Sequence, residues 1–313
     1  MIPFCDSASG GIFHSLSEKG HAYIGLGNPQ FSYGLAVKTD NPRDLFIFHE
    51  TPEFEEYLLT QRKWVERGYT QPDVASSRDQ ANDGILSGKY AGSIQSMIAT
   101  TLNGLIVPAR SGHPDWEIGY MNYGEMYKWS YRAHPTFMAF AIPIAAKNPE
   151  RSLLFARELL TNKELWQLYD MGIENTHYKI EDGHYVSLND PINPGYLQSA
   201  SGLTPYFFRE DFKHYSGDYQ WALDYERDHM APYEVTNYFE GFPEDYTPYR
   251  DKVTAMSEVN SQYTWPLLRG TIPNPLEARK DVNRRLDAAG RQEVVQRVIE
   301  QYQAYLDGLG IPK

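Results

Sequence analysis

Glu174 and His177 are the first pair in this chain whose types and spacing could do chemistry. A carboxylic acid and an imidazole three residues apart, just beyond Gly172, could share a proton. Against that reading stands the lack of a second carboxylate or a metal-ligand set at a diagnostic spacing. There is no His-Glu-x-x-His, no glycine-rich phosphate loop and no Gly-x-Ser-x-Gly elbow. Asp83-Gly84 and Asp182-Gly183 are turn formers, not a calcium loop. Closing a helix end is therefore the expected task of Glu174 and His177, and no enzyme activity, metal or cofactor is expected. The other chemical resource is aromatic. The chain has 24 Tyr and 6 Trp among 313 residues. Such rings fill a core, or they stack on flat apolar faces such as those of sugars, with a polar tip left over for hydrogen bonds.

Those residues must be positioned by a fold, and length and composition bound it. A 41% hydrophobic chain of 313 residues can bury one large core or two modest ones. Its formal net charge of −12 argues against a nucleic-acid or anionic-membrane partner. The single cysteine, Cys5, excludes an intrachain disulfide. Met-Ile-Pro-Phe precedes it with neither a basic nor an apolar region, so no signal peptide or lipid-attachment cysteine is read there. Cys5 is expected to be an ordinary, partly buried thiol.

One segment organises the pattern. Asn148-Pro149-Glu150 reads as an N-cap, a first-turn proline and a dipole-matched acid. Leu153, Leu154, Leu159, Leu160, Leu165 and Leu168 give a helix an apolar face, and Gly172 stops it. One helix is expected from Pro149 to Met171, after an apolar strand at Phe137 to Ile142. Thr51-Pro52-Glu53 opens an earlier helix that ends at Gly68. Further helices are expected over 79–90, from Pro248 to Gly270, from Asn274 to Gly290 and over the C-terminus. Strands are expected at Leu45 to Phe48 and Trp116 to Met121, and a hairpin turn at Glu181-Asp182-Gly183-His184. Trp64, Trp166 and Trp221 are read as core. Strands alternate with helices early and helices dominate late, which makes an α/β class.

Four blocks in order carry a family resemblance. They are Glu50-Thr51-Pro52-Glu53-Phe54 with Trp64 to Asp73; Gly88-Lys89-Tyr90-Ala91; the Pro149 helix with Gly172-Ile173-Glu174-Asn175-Thr176-His177-Tyr178; and Gly270 to Pro275 with Leu286 to Gly290 and Val294 to Tyr305. Together they resemble the lipoprotein-type solute-binding proteins of bacterial carbohydrate ABC transporters. The resemblance implies a periplasmic-binding-protein-like α/β fold of class II type, incomplete, and mostly the C-terminal lobe with its terminal helices. Relatives are longer at the N-terminus, so an N-terminally truncated form is expected. Residues 1–136 would be the first part of the C-terminal lobe, 137–183 the segment crossing to the N-terminal lobe, and 184–313 the return with the closing helices. The apolar face of the Pro149 helix would then be partly exposed, or covered by another molecule such as a second copy of the chain.

The same resemblance implies a carbohydrate ligand, permease subunits as partners and an extracellular, membrane-anchored location in full-length relatives. By position in it, the ligand-binding candidates are Ser93, Gln95, Ser96, Trp129, Tyr131, Arg132, His134, Phe242, Tyr246 and Tyr249. Two other readings share the composition: a glycoside hydrolase, which needs two carboxylates across a cleft, and a surface module that binds no small ligand.

Overall fold

The computed structural model describes residues 1–5, 21–23, 34–38, 40–71, 81–93, 105, 109, 112–119, 123–131, 140–181, 184–188, 224–236, 238–239 and 241–312. In chain order the early elements are β1 (Ile2–Cys5), β2 (His21–Tyr23), β3 (Leu35–Lys38) and β4 (Leu45–Ile47). A 3-10 turn (Phe48–Glu50), α1 (Pro52–Glu66), α2 (Ala81–Leu86) and β5 (Tyr90–Ser93) follow. Next come α3 (Tyr123–Tyr127), β6 (Ser130–Tyr131), α4 (Pro149–Thr161), α5 (Lys163–Asp170), β7 (Tyr178–Glu181) and β8 (His184–Ser187). The last elements are β9 (Glu234–Val235), α6 (Arg250–Val259), α7 (Trp265–Leu268), α8 (Pro275–Ala288) and α9 (Arg291–Gly308). They divide into two compact units. The first is Met1–Ser96, Tyr120–His134 and His229–Lys313; the second is Met97–Gly119 and Pro135–Asp228. The expected crossing segment 137–183 falls inside the second unit, which also takes in 97–119 and continues to Asp228.

The first unit is built on helices that close over an antiparallel sheet of order β2-β3-β4. Thr51 starts α1 as expected: its hydroxyl accepts the Phe54 N–H at 3.2 Å, with Pro52 in the first turn. Phe54, Tyr57, Leu58 and Gln61 then fall on one buried face at helical spacing. From α9, Val294, Val298, Tyr302 and Leu306 meet that face, joined by Val282 and Leu286 of α8 and Met256 of α6. Tyr57 fixes the register by donating its hydroxyl to the Leu268 carbonyl at 2.9 Å. Gly270 (φ 67°) lets the following turn lie against α1, since a Cβ there would come within 2.5 Å of the Gln61 carbonyl group.

α6 and α7 form one rod with a π-turn (Asn260–Thr264) between them. Pro266 explains the turn. It lacks an N–H and crowds the carbonyl one turn back, so the ladder slips by a residue and the Trp265 N–H reaches the Asn260 carbonyl. The buried Thr264 hydroxyl then donates to the Asn260 side-chain oxygen at 2.7 Å.

A fully buried guanidinium joins three elements of this unit. Arg291, 0% exposed at the start of α9, donates to Glu50 (2.8 Å), Asp287 (2.9 Å) and the Asn283 side chain (2.9 Å). A second arginine ties the β3–β4 connection to the C-terminus. Arg43 donates to Gln303 and Asp307, each at 2.7 Å, and to the carbonyls of Ile311 and Pro312.

In the second unit the expected single helix is two. Asn162 leaves the helical region (φ −107°, ψ 104°) and its side chain caps a new helix by accepting the Leu165 N–H at 3.1 Å. Asn competes with the helix backbone in this way wherever the chain can turn. Asn148, the expected cap, makes no side-chain capping bond. Of the six leucines assigned to one apolar face, Leu159 is buried, whereas Leu153 is 63% exposed and Leu154, Leu160 and Leu168 are also exposed. The small core here is Trp166, Met171 and Tyr178 with Ile180 beside it. Trp64, expected in the core, is only half-buried and stacks on Phe4 at 5.2 Å; Trp221 lies outside the described residues.

β7 and β8 pair antiparallel with Glu181 opposite His184; Asp182 and Gly183 lie outside the described residues. Two expected strands are absent where residues of them are described. Over 116–119 there is none, because a turn with Trp116 N–H on the His113 carbonyl (3.0 Å) and their rings stacked at 3.8 Å occupies the approach. Residues 140–142 are irregular, and 137–139 lie outside the described residues.

Replacing Arg291 removes the one group that all three acceptors share. Arg291→Met is expected to cost about 3 kcal/mol, the lower end for breaking a buried pair, because Glu50 and Asp287 are half-exposed and rehydrate. Urea unfolding checks this as a lower midpoint at unchanged slope.

Candidate functional site

β1 and β5 run parallel, with Ile2 opposite Tyr90, Phe4 opposite Gly92 and Cys5 opposite Ser93. On the other side of β1, Thr70 makes a parallel bridge to Phe4, and the Phe4 N–H reaches the Tyr69 carbonyl at 2.8 Å. Three segments therefore bring their carboxyl ends, Gln71, Cys5 and Ser93, to one edge. α2 seats β5: Gly84 has no side chain, and a Cβ there would strike the Tyr90 ring at 2.2 Å. In open α/β sheets ligands bind at this carboxyl edge, where backbone groups and loops converge. Ser93 is partly exposed there, while Cys5 and Gln71 are buried. The thiol is thus fully buried, not partly. Gln95 and Ser96 lie outside the described residues.

A second parallel pair joins distant stretches: Ser130 opposite Glu234 and Tyr131 opposite Val235. Polar contacts surround it. Lys128, held at φ 61°, puts its ammonium over the Tyr233 ring (4.7 Å) and donates to its hydroxyl at 3.1 Å. A positive φ is uncommon outside glycine and is kept where surroundings over-determine it. His229 and Glu125, both exposed, meet at 3.3 Å. Trp129 stands half-buried between Lys128 and β6. Glu125, Lys128, His229 and Tyr233 escape a reading of the sequence because 104 or 105 residues separate the partners. The αL conformation of Lys128 leaves no sequence signal either. Arg132 and His134 lie outside the described residues.

The third group separates into core and surface. Phe242 packs its ring on Tyr302 at 5.3 Å and Tyr305 at 5.6 Å. Tyr249 is 3% exposed and donates its hydroxyl to Glu244 at 2.7 Å, while Gln301 donates to that hydroxyl at 3.3 Å. Burial, with Glu244 beside it, pushes the Tyr249 pKa up, so the phenol stays neutral. Tyr246, in contrast, is 40% exposed with the Arg250 guanidinium 5.7 Å from its ring centre. Phe242 and Tyr249 therefore anchor the loop to α9, and Tyr246 offers a face to solvent.

His177 closes the end of α5, while Glu174 is exposed and bridges through its backbone to Tyr178. His177 Nδ1 accepts the Ile173 N–H at 2.9 Å, and its ring covers Gly172 (φ 86°), where a Cβ would lie 2.6 Å from it. Among the described residues no group of three or more His, Cys, Asp or Glu side chains could hold a metal. No described helix is long and apolar enough to cross a membrane.

With this geometry, the chain matches solved structures along nearly its whole length. An N-glycan transport solute-binding protein from Streptococcus pneumoniae in complex with Man5GlcNAc is similar over 98% of this chain and 64% of that one, with TM-score 0.68 and 16% identity. A human-milk-oligosaccharide (HMO)-binding, ABC-transporter-associated solute-binding protein from Bifidobacterium longum infantis matches over 98% of this chain and 64% of that one, with TM-score 0.54 and 14% identity. The alginate-binding protein AlgQ2 without calcium ion matches over 96% and 64%, with TM-score 0.57 and 13% identity. The chain thus has the periplasmic-binding-protein-like α/β fold of ABC-transporter solute-binding proteins, and spans about two-thirds of the length of these structures. Residues 238–307, the α6 to α9 region, match a family described as a domain of unknown function, DUF3502. No curated protein sequence matches the chain.

The two neighbouring tyrosines test the division between core and surface. Tyr249→Ala is expected to destabilise by about 3–5 kcal/mol, as for other buried aromatics. Tyr246→Ala is expected to change stability by less than about 0.5 kcal/mol. Thermal unfolding of both variants measures the contrast.

Proposed function

We propose that the chain is the carbohydrate-binding component of an ABC importer, a non-catalytic protein that carries an oligosaccharide to its permease subunits outside the cell. The observation that carries this reading is the fold, shared over 98% of the chain with solute-binding proteins whose own ligands are N-glycan and milk oligosaccharides. In this reading the first unit, with its closing helices α6 to α9, belongs to the C-terminal lobe, and residues 137–183 to the segment that crosses to the other.

Sugar recognition needs flat apolar faces flanked by groups that bond hydroxyls. Trp129 and Tyr246 supply accessible rings. Ser93 supplies a hydroxyl at a parallel carboxyl edge. Glu125, Lys128, His229 and Tyr233 supply donors and acceptors beside Trp129. Tyr131, Arg132, His134, Gln95 and Ser96 complete the proposed set from the sequence.

A thermal-shift panel of Man5GlcNAc with neutral, acidic and amino oligosaccharides tests the assignment on the natural full-length protein. At least one sugar is expected to raise the unfolding temperature. Trp129→Ala and Tyr246→Ala are each expected to weaken that sugar's binding about tenfold by calorimetry. A panel with no response overturns the reading, and release of new reducing ends from a bound polysaccharide replaces it with a hydrolase.

A further inference from the structure

His49 is a deeply enclosed imidazole, 1% exposed, with no hydrogen-bond partner at either ring nitrogen. Its ring lies 4.1 Å from Phe48 and 5.0 Å from Phe54, centre to centre. Gly34, entering β3, roofs it so closely that a Cβ there would come within 2.5 Å of Nδ1.

The charges that face this ring are positive. Arg291 of α9 and Arg279 of α8 both act on it. The carboxylates nearby are already engaged with those two cations. Glu50, next to His49 on the 3-10 turn, and Asp287 of α8 hold Arg291; Glu55 of α1 holds Arg279 at 2.5 Å. A proton on His49 would create a third cation with no water and no acceptor of its own, the costliest way to bury a charge.

We propose that His49 is an acid-sensitive latch: protonation drives its ring out from between Gly34 and Phe54 and releases the β3–β4 segment and its 3-10 turn from α1, α8 and α9. The direction follows from the protons bound in each state. Burial first, then Arg291 and Arg279, hold the enclosed imidazole at a pKa of about 3, against 6.5 when it is free in solution. Between those values the opened state binds a proton that the closed state lacks, so the closed state loses stability as pH falls. The opening equilibrium should grow about tenfold for each pH unit below 6.5. Release also takes Glu50 away from Arg291, which couples the latch to the buried ion network. The inference does not depend on the ligand assignment.

Backbone hydrogen exchange read by mass spectrometry on the whole chain, corrected for intrinsic rates, tests it at about pH 7.5 and about pH 5. Segment 34–50 is expected to lose about 30-fold of protection relative to α9 at the lower pH. His49→Gln and His49→Met are expected to abolish that loss. An equal acid loss in either variant, or protection of 34–50 that ignores pH, overturns the latch. Imidazole C2 exchange on the unaltered protein needs no folded variant. Titration of His49 near pH 6.5 in the closed protein overturns the proposal, and its absence above about pH 5 supports it.

Discussion

A guanidinium with no access to water needs acceptors within the protein, and much of the first unit is arranged so that each nitrogen of Arg291 finds one. Its acceptors come from the 3-10 turn, from the end of α8 and from within α8. Satisfying them fixes where α9 begins, how α8 ends and where the chain enters α1. Gly290 (φ 96°) makes the tight corner that brings α9 back against α8. Because the partner carboxylates are half-exposed, the network also has a route to solvent, which is why it tolerates a buried charge.

The helical layer then positions the rest. Tyr302, fully buried in α9, packs against Phe239 at 4.5 Å and Phe242 at 5.3 Å, so the segment after β9 is laid on the same surface. The segment ends at Tyr249, whose phenol is held by Glu244 and Gln301. Between these anchors Tyr246 faces solvent. β6 and β9 are likewise short, with two residues each, and depend on the contacts of Lys128, Glu125 and Ser130 to hold two remote stretches together.

Local signals in the sequence were reliable where the chain punctuates itself. Thr51-Pro52 started a helix, Gly68, Gly172, Gly270 and Gly290 each took a positive φ at a helix end, and the two short strands expected on either side of residues 182–183 paired antiparallel. They failed where two local preferences competed. Asn148 and Asn162 are the same residue type at similar boundaries, yet the side-chain cap formed at Asn162 and split one helix into two. The leucines of α4 show the same limit for burial: helical spacing put them on a helix, but only packing against a partner surface buries a side chain, and Leu153 and Leu154 stay exposed.

The sequence alone determined the α/β class, most helix starts and stops, the antiparallel strand pair after α5 and the resemblance to sugar-transport solute-binding proteins, because all of these rest on interactions within a few residues or on ordered motifs. Tertiary structure decided how far each candidate is exposed, separating the exposed Tyr246 from the partly buried Phe242 and the buried Tyr249. It also paired Lys128 with Tyr233 and Glu125 with His229 across about a hundred residues. And it enclosed His49 without a hydrogen-bond partner among Gly34, Phe48 and Phe54. Such properties depend on what arrives from elsewhere in the chain, and no local spacing encodes that.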